Sequence, residues 1–146
     1  MPVTVAPEDV DIWYEVFGEG PPLLLVSGTG HDHTLWANQF PYFEREFRCI
    51  VFDNRGVGKS AVPPPGYSLV NMANDAVAVL DVVGMEKAHV MGYSMGGHIS
   101  QELCLRYPDR VLSLGLHHTW ARNCPRLREF QKIRKLIAER GEMETL

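Results

Sequence analysis

The stretch Gly92-Tyr93-Ser94-Met95-Gly96-Gly97 is the most informative part of the chain, because it carries the pattern G-x-S-x-G between two regular elements. Residues 88–92 before it are apolar in the manner of a buried strand, and residues 95–107 after it have helical periodicity. A serine on such a sharp turn projects its hydroxyl from the top of a sheet, and the flanking glycines avoid Cβ clashes. The stretch therefore predicts that Ser94 is a nucleophile at a strained turn.

Strands and helices alternate outward from this turn. Apolar runs predict strands at residues 11–17, 23–26, 47–52, 88–92 and 111–116. Helical spacing predicts a short helix within residues 31–47 and helices at 69–83, 95–107 and 125–140, with Ser68 capping the second. The alternation indicates an α/β fold, a mostly parallel doubly wound sheet with helices on both faces. The loops that follow the strands should converge on one rim, where ligands bind in such sheets.

Backbone N–H groups near the serine are expected to stabilise negative charge on a reacting carbonyl oxygen. One donor is the N–H of Met95, at the positive end of the helix that follows the serine. The second is the N–H of Gly28 or Thr29, in the loop after the strand at 23–26. Trp36, Tyr93 and Met95 are candidates to line an apolar acyl pocket, although such side chains belong to the core equally often.

Four segments together resemble the α/β-hydrolase superfamily, in its branch of small bacterial esterases, lactonases and cofactor-free haloperoxidases. Residues 23–30 are similar to the family's strand and oxyanion loop, with Ser27 where the family usually has histidine. Residues 52–60 resemble its D-x-R-G-x-G-x-S loop, and residues 92–97 resemble its nucleophile elbow. Residues 107–111 are similar to its link into the next strand.

The resemblance implies the N-terminal part of an α/β-hydrolase fold. Residues 1–121 would be an incomplete hydrolase core, and residues 122–146 a C-terminal helix similar to the start of a cap. The implied function is a serine ester hydrolase that acts on small carboxylic esters through an acyl-enzyme, without cofactor or metal. The alternative is a catalytically impaired fragment or binding module that needs a second chain for its acid and histidine.

The family's catalytic triad raises a difficulty, because its acid and histidine follow later strands than this chain contains. Three explanations stay open: a truncated protein, a histidine within these residues serving as base, or groups supplied by a second subunit. His118 is the favoured base, since it stands where some relatives carry their acid. Asp32 or Asp53 is the candidate partner acid, although Asp53 is expected to tie down its own loop. The other candidate histidines are His31, His33 and His117.

Composition excludes several other classes of protein. A formal net charge of -4 argues against nucleic acid or an anionic membrane as partner. Neither a signal sequence nor an apolar run of membrane-spanning length occurs, so the expected location is cytoplasmic. The basic stretch at 122–146 is interpreted as a solvated helix face, with a recognition surface as the minor alternative. The three cysteines form no C-x-x-C pair.

Three remaining patterns are given structural interpretations. Residues 56–61 fit G-x-G-x-x-A, but the prolines at 63–65 lie where a nucleotide-binding helix would begin. His31 and its neighbours have no specific metal-binding spacing. His98 is expected to face packing or solvent, and His89 to be structural. The strand at 111–116 has the apolar pattern of a strand paired on both sides, so an uncovered edge predicts a homo-oligomer or a C-terminal helix that covers it.

Overall fold

A computed structural model describes residues 3–139 of the chain as a six-stranded sheet with helices on both faces. Its strands are β1 (Val3–Ala6), β2 (Val10–Phe17), β3 (Pro22–Val26), β4 (Arg48–Phe52), β5 (Ala88–Tyr93) and β6 (Val111–His117). The spatial order is β1-β2-β4-β3-β5-β6. Strands β4, β3, β5 and β6 are parallel, and β1 and β2 form an antiparallel extension at one edge. The predicted mostly parallel α/β sheet is confirmed.

The helices are α1 (Phe40–Phe43), α2 (Leu69–Val82), α3 (Met95–Arg106) and α4 (Pro125–Glu139). Helices α2 and α3 pack on one face of the sheet, and α1 contributes to the core on the other. Ser68 caps α2 as expected, because its hydroxyl accepts a hydrogen bond from the N–H of Asn71. None of the described helices combines the length and apolar character needed to cross a bilayer.

The central strand β3 supplies both cores through the alternation of its side chains. Leu24 and Val26 are fully buried in the core that α2 and α3 cover. Leu23 and Leu25 point to the opposite face, where Trp36 covers them. A strand buried on both faces explains the unbroken apolar run in the sequence.

A buried ion pair fixes the loop after β4 to helix α2. The Arg55 guanidinium donates to both Asp75 carboxylate oxygens at 2.7 Å, and both side chains are almost fully buried. A third bond runs from Arg55 to Glu8 at 2.8 Å, which ties down the turn between β1 and β2. The Asp75 carboxylate, together with Glu8, holds the pKa of Arg55 above its ordinary range.

Two sequence predictions about elements need correction. Strand β1 was not expected, and residues 31–47 do not form one short helix. They form a 3₁₀ turn at His33–Trp36 and, separately, the single-turn helix α1. Asp32 caps the first of these, and Pro41 stands in the first turn of the second. The last residue of the predicted helix at 125–140, Arg140, lies outside the described residues.

Strand β6 pairs with β5 and has no second neighbour within residues 3–139. Leu112 and Leu116 on this strand are 51% and 44% exposed. Helix α4 does not bury them, and its own apolar residues Phe130, Ile133 and Leu136 are each more than half exposed. The pairing on both sides that its apolar pattern favours is thus not present within the described chain, and the homo-oligomer stays a prediction.

Candidate active site

Ser94 occupies a strained position between β5 and α3. Its φ of 54° and ψ of -117° lie where residues with side chains are rare, and maintaining such a conformation costs about 1–3 kcal/mol. The backbone is held from two sides. The Ser94 N–H donates to the His117 carbonyl, and the Ser94 carbonyl accepts from the Gly97 N–H, both at 2.9 Å. The side chain is half-buried and lines an open cleft.

Glycines let three backbone segments meet around this serine. A Cβ on Gly96 would lie 2.1 Å from the Val26 carbonyl oxygen, so α3 approaches the end of β3 closely. A Cβ on Gly92 would lie 2.4 Å from the carbonyl oxygen of Gly96. Gly28 is the glycine of the neighbouring loop, and a Cβ there would come within 3.2 Å of the Ser94 Cβ. The loop after β3 therefore lies directly against the serine.

The predicted oxyanion donors come from the two segments that meet at the serine. The N–H of Met95 opens helix α3, where intrahelical acceptors are lacking. Within residues 3–139, no backbone carbonyl accepts from the N–H of Gly28, Thr29 or Met95. His31 uses the loop's carbonyls instead, with its N–H 3.2 Å from Gly28 O and its ring Nδ1 2.9 Å from Thr29 O.

A buried hydrogen-bond network centred on Ser27 holds this loop in shape. The indole N–H of Trp36 donates to Ser27 Oγ at 3.1 Å, and that hydroxyl donates to the Asp32 carbonyl at 3.1 Å. The amide of Asn54 donates to the Ser27 carbonyl at 3.0 Å. Trp36 is only 6% exposed, and it supports the loop from below without being among the residues that line the cleft beside Ser94.

The cleft beside Ser94 has a volume of about 410 Å³. It lies between the first turns of α3 and the start of α4, and its wall is apolar with a few polar groups. The lining residues are Thr29, Ser94, Met95, His98, Trp120, Leu127, Phe130 and Gln131. Tyr93 is not among them; its side chain packs with the second core on the opposite side of β5.

His98 is a cleft residue that sequence reasoning assigned to packing or solvent. Its ring meets the ring of Trp120 edge-on, with centroids 4.8 Å apart and planes at 77°. The signal available in the sequence was spacing, because residues four apart lie on the same face of a helix. Ser94 is the N-cap of α3, and His98 follows it by that interval and lines the same cleft.

The favoured base, His118, does not hydrogen-bond to Ser94 in this structure. It is exposed, has a φ of 51°, and packs its ring against the ring of Tyr93 at a centroid distance of 5.1 Å. His117 contributes its backbone carbonyl to the turn, as described above. His31 contacts the Thr29 carbonyl. The assignment of His118 as base therefore stays a prediction. Its ring contacts Tyr93, the residue that precedes the nucleophile in the chain.

Two further candidates, His33 and Asp53, are hydrogen-bonded to each other. The buried Asp53 carboxylate accepts from the backbone N–H and the ring Nδ1 of His33, both at 2.8 Å. It also accepts from the N–H of Lys59 at 2.9 Å, so it ties down its own loop as expected. Asp32 accepts from the hydroxyl and N–H of Thr34, and these bonds lower the pKa of the Asp32 carboxyl.

The part of the chain that the structure describes contains neither a cluster of metal ligands nor a glycine-rich loop that opens a helix after β4. Among residues 3–139, no three His, Cys, Asp or Glu side chains gather as a metal ion would require. The glycine-rich loop after β4 folds around Asp53, and residues 61–68 after it contain no helix. The loop thus lacks the helix N-terminus on which a nucleotide phosphate would sit.

The known proteins that this chain resembles in sequence and in structure are hydrolases. Residues 21–137 match the family model of the α/β hydrolase fold. A protein of Azorhizobium caulinodans provisionally named carbamate hydrolase RutD is 39% identical over 129 residues, which are 88% of this chain and 49% of that protein. The enol-lactonase from Burkholderia xenovorans LB400 has a TM-score of 0.88 at 28% identity, over 99% of this chain and 56% of that one.

A thermophilic esterase from Thermogutta terrifontis has a TM-score of 0.84 at 34% identity, over 95% of this chain and 52% of that one. The chain therefore spans about half the length of the relatives it matches. These matches confirm the resemblance seen in the sequence and the assignment of the fold to the N-terminal part of the hydrolase architecture. The family match covers far more than half of the chain, so the chain belongs to the α/β-hydrolase family.

Proposed function

We propose that this protein is a serine hydrolase that cleaves small carboxylic esters through an acyl-enzyme. The observation that carries the proposal is the strained conformation of Ser94 beside Gly28, in a cleft open to small molecules. Backbone strain of this kind persists only where the surrounding structure holds it, and it concentrates at functional sites. A serine that merely capped α3 would not need it, and the Ser94 side chain makes no capping hydrogen bond.

In the proposed reaction, Ser94 Oγ attacks the substrate carbonyl carbon, and the carbonyl oxygen becomes an oxyanion. The N–H of Met95 and the N–H of Gly28 or Thr29 donate to it; one such donor is worth about 10²–10³ in rate. The bond to the leaving alcohol then breaks, and the alcohol departs with the proton that the serine lost. Water attacks the acyl-enzyme in the same way and releases the acid.

A base is needed to take the serine's proton, and His118 is the proposed one. Its ring lies against Tyr93, the residue before the nucleophile, and its exposed side chain would have to turn from Tyr93 toward Ser94 to take the proton. A general base contributes on the order of 10²–10⁴ in rate. The oxyanion donors alone would leave a slow residual reaction without it.

The choice of esters follows from chemistry that the relatives' names have in common. A carbamate hydrolase, an enol-lactonase and an esterase each act on a carbonyl carbon that bears a heteroatom. The mainly apolar wall of this cleft supports an acyl group with a hydrocarbon chain.

A fluorophosphonate probe and 4-nitrophenyl butyrate test the proposal. We expect the wild type to be labelled once per chain, Ser94→Ala to lose labelling and turnover, and His118→Ala to be labelled about 10²-fold more slowly. Ser113→Ala is the matched control, because Ser113 is exposed on β6, outside the cleft. A wild-type chain that binds the ester without labelling or turnover would instead be a binding module built on the hydrolase scaffold.

A further inference from the structure

His98 stands in the cleft wall one helical turn beyond the nucleophile. Ser94 and His98 line the same cleft, so a substrate group bound at His98 can be joined by a short chain to the carbonyl at Ser94. The ring is half-buried, and within residues 3–139 none of the hydrogen bonds involves its nitrogens. An imidazole in this setting is free to bond to a ligand.

The orientation of the His98 ring is fixed by its neighbour. Trp120 meets it edge-on, and Trp120 is itself anchored at two points. Its indole N–H donates to Asn123 Oδ1, and its carbonyl accepts from the Gln101 amide at 3.3 Å. A polar group that packing holds in one direction is suited to recognise one substituent of a substrate.

The charge around the cleft favours an anionic substituent. Helix α4, which forms one wall, has five Lys and Arg residues and two Glu residues in its sequence, a net charge of +3, and the residues by which it lines the cleft are uncharged. None of the lining residues is acidic. His98 also lies in the first turns of α3, where the helix dipole is positive. A carboxylate is therefore attracted to this wall, and an imidazole N–H is a donor for it.

We propose that His98 determines substrate specificity by hydrogen-bonding a carboxylate carried on the acyl chain, about three bonds from the reacting carbonyl. This inference rests on the proposed function, since it names the class of ester: a half-ester of a short dicarboxylic acid, with the carboxylate against His98 and the carbonyl at Ser94. The apolar side chains of Met95 and Trp120 would contact the methylene groups between them.

Binding of two matched amides tests this inference without any turnover. N-phenylsuccinamate and N-phenylbutyramide differ only in having a carboxylate or a methyl group at the end of the acyl chain. By calorimetry we expect the wild type to bind the succinamate about tenfold more tightly, as one charge-assisted hydrogen bond predicts. His98→Ala should remove that preference, and His98→Asn should restore part of it because the amide retains a donor.

His89→Ala is the control, since it removes a histidine of β5 that lies outside the cleft and should keep the wild-type preference. Equal binding of the two amides by the wild type, or an unchanged preference in His98→Ala, would overturn the inference. Fluorophosphonate labelling of the same proteins separates the two proposals. A carboxylate preference that depends on His98, without labelling at Ser94, would support carboxylate binding by His98 and contradict the proposed hydrolase.

Discussion

Replacing Gly96 with alanine tests the close approach on which the site geometry depends. The new Cβ would lie 2.1 Å from the Val26 carbonyl oxygen and 2.7 Å from that of Ser27. Both are backbone atoms at the end of the buried strand β3, so neither can move aside as a flexible side chain would. Real Cβ atoms do not approach closer than 3.0 Å, and the start of α3 must therefore move by about 1 Å.

This displacement has a cost in stability and a larger cost in reactivity. Overpacking a buried contact destabilises by about 1–3 kcal/mol. Alanine offsets up to about 1 kcal/mol of this, because it is the better helix former. We expect a net loss near 2 kcal/mol in the free energy of unfolding. The same shift separates Ser94 from the loop at Gly28, and a misplacement of about 1 Å costs on the order of 10²-fold in rate.

Urea denaturation measures the first quantity, and the rate of fluorophosphonate labelling under native conditions measures the second. Gly115→Ala is the matched control on β6, because its Cβ would meet Met91 at an ordinary 3.6 Å. That variant should stay within about 0.5 kcal/mol of the wild type and be labelled at the same rate. If Gly96→Ala unfolds at the wild-type urea concentration and labels at the wild-type rate, the close approach does not position the serine.

Three further predictions concern the rest of the fold. Arg55→Ala leaves the Asp75 carboxylate buried without its cation, so we expect a loss of about 3–5 kcal/mol by urea denaturation, and wild-type stability would contradict the role of this ion pair. Burial raises the pKa of the Cys49 thiol to about 11. Ellman's reagent at pH 8 should therefore modify the exposed Cys124 rapidly and Cys49 only in urea. Fast modification of Cys49 in the folded protein would argue against this burial. The open edge of β6 predicts self-association by light scattering, which Leu116→Lys should weaken, whereas a wild-type monomer would refute it.

Much of the fold could be predicted because strands β3 and β4 are buried on both faces and therefore appear in the sequence as apolar runs. Strand β1 was not predicted from the sequence, and the reason lies in the turn that follows it. It joins β2 through Glu8 and Asp9, which have positive φ angles of 73° and 54° without being glycine, so the usual hairpin signal is absent. The helix expected within residues 31–47 was broken by groups that prefer other hydrogen bonds. Asp32 captures the N–H of Thr34, and Pro41 permits only a new first turn.

In the site, features set by neighbouring residues in the chain could be predicted, and contacts between distant segments could not. The turn at Ser94 was predictable, because strand, glycines and helix are contiguous in the chain. The contact between His98 and Trp120 was not, since the two residues belong to segments that meet only when the chain folds back after β6. Trp36 was a candidate for the substrate pocket, but its indole N–H donates to Ser27 in the buried network below the cleft. Side-chain periodicity does not encode which buried hydroxyl an indole will reach.

Two physical means position the groups around Ser94, and they act on opposite sides of it. The elbow depends on absent side chains, because Gly92 and Gly96 let backbone pack against backbone. The facing loop depends on buried hydrogen bonds to Ser27, each of which costs about 1–3 kcal/mol to leave unmade. Neither side can shift without a clash or an unpaired polar group. Donors held in this way need no rearrangement when charge develops on a substrate, which is the property that an oxyanion site requires.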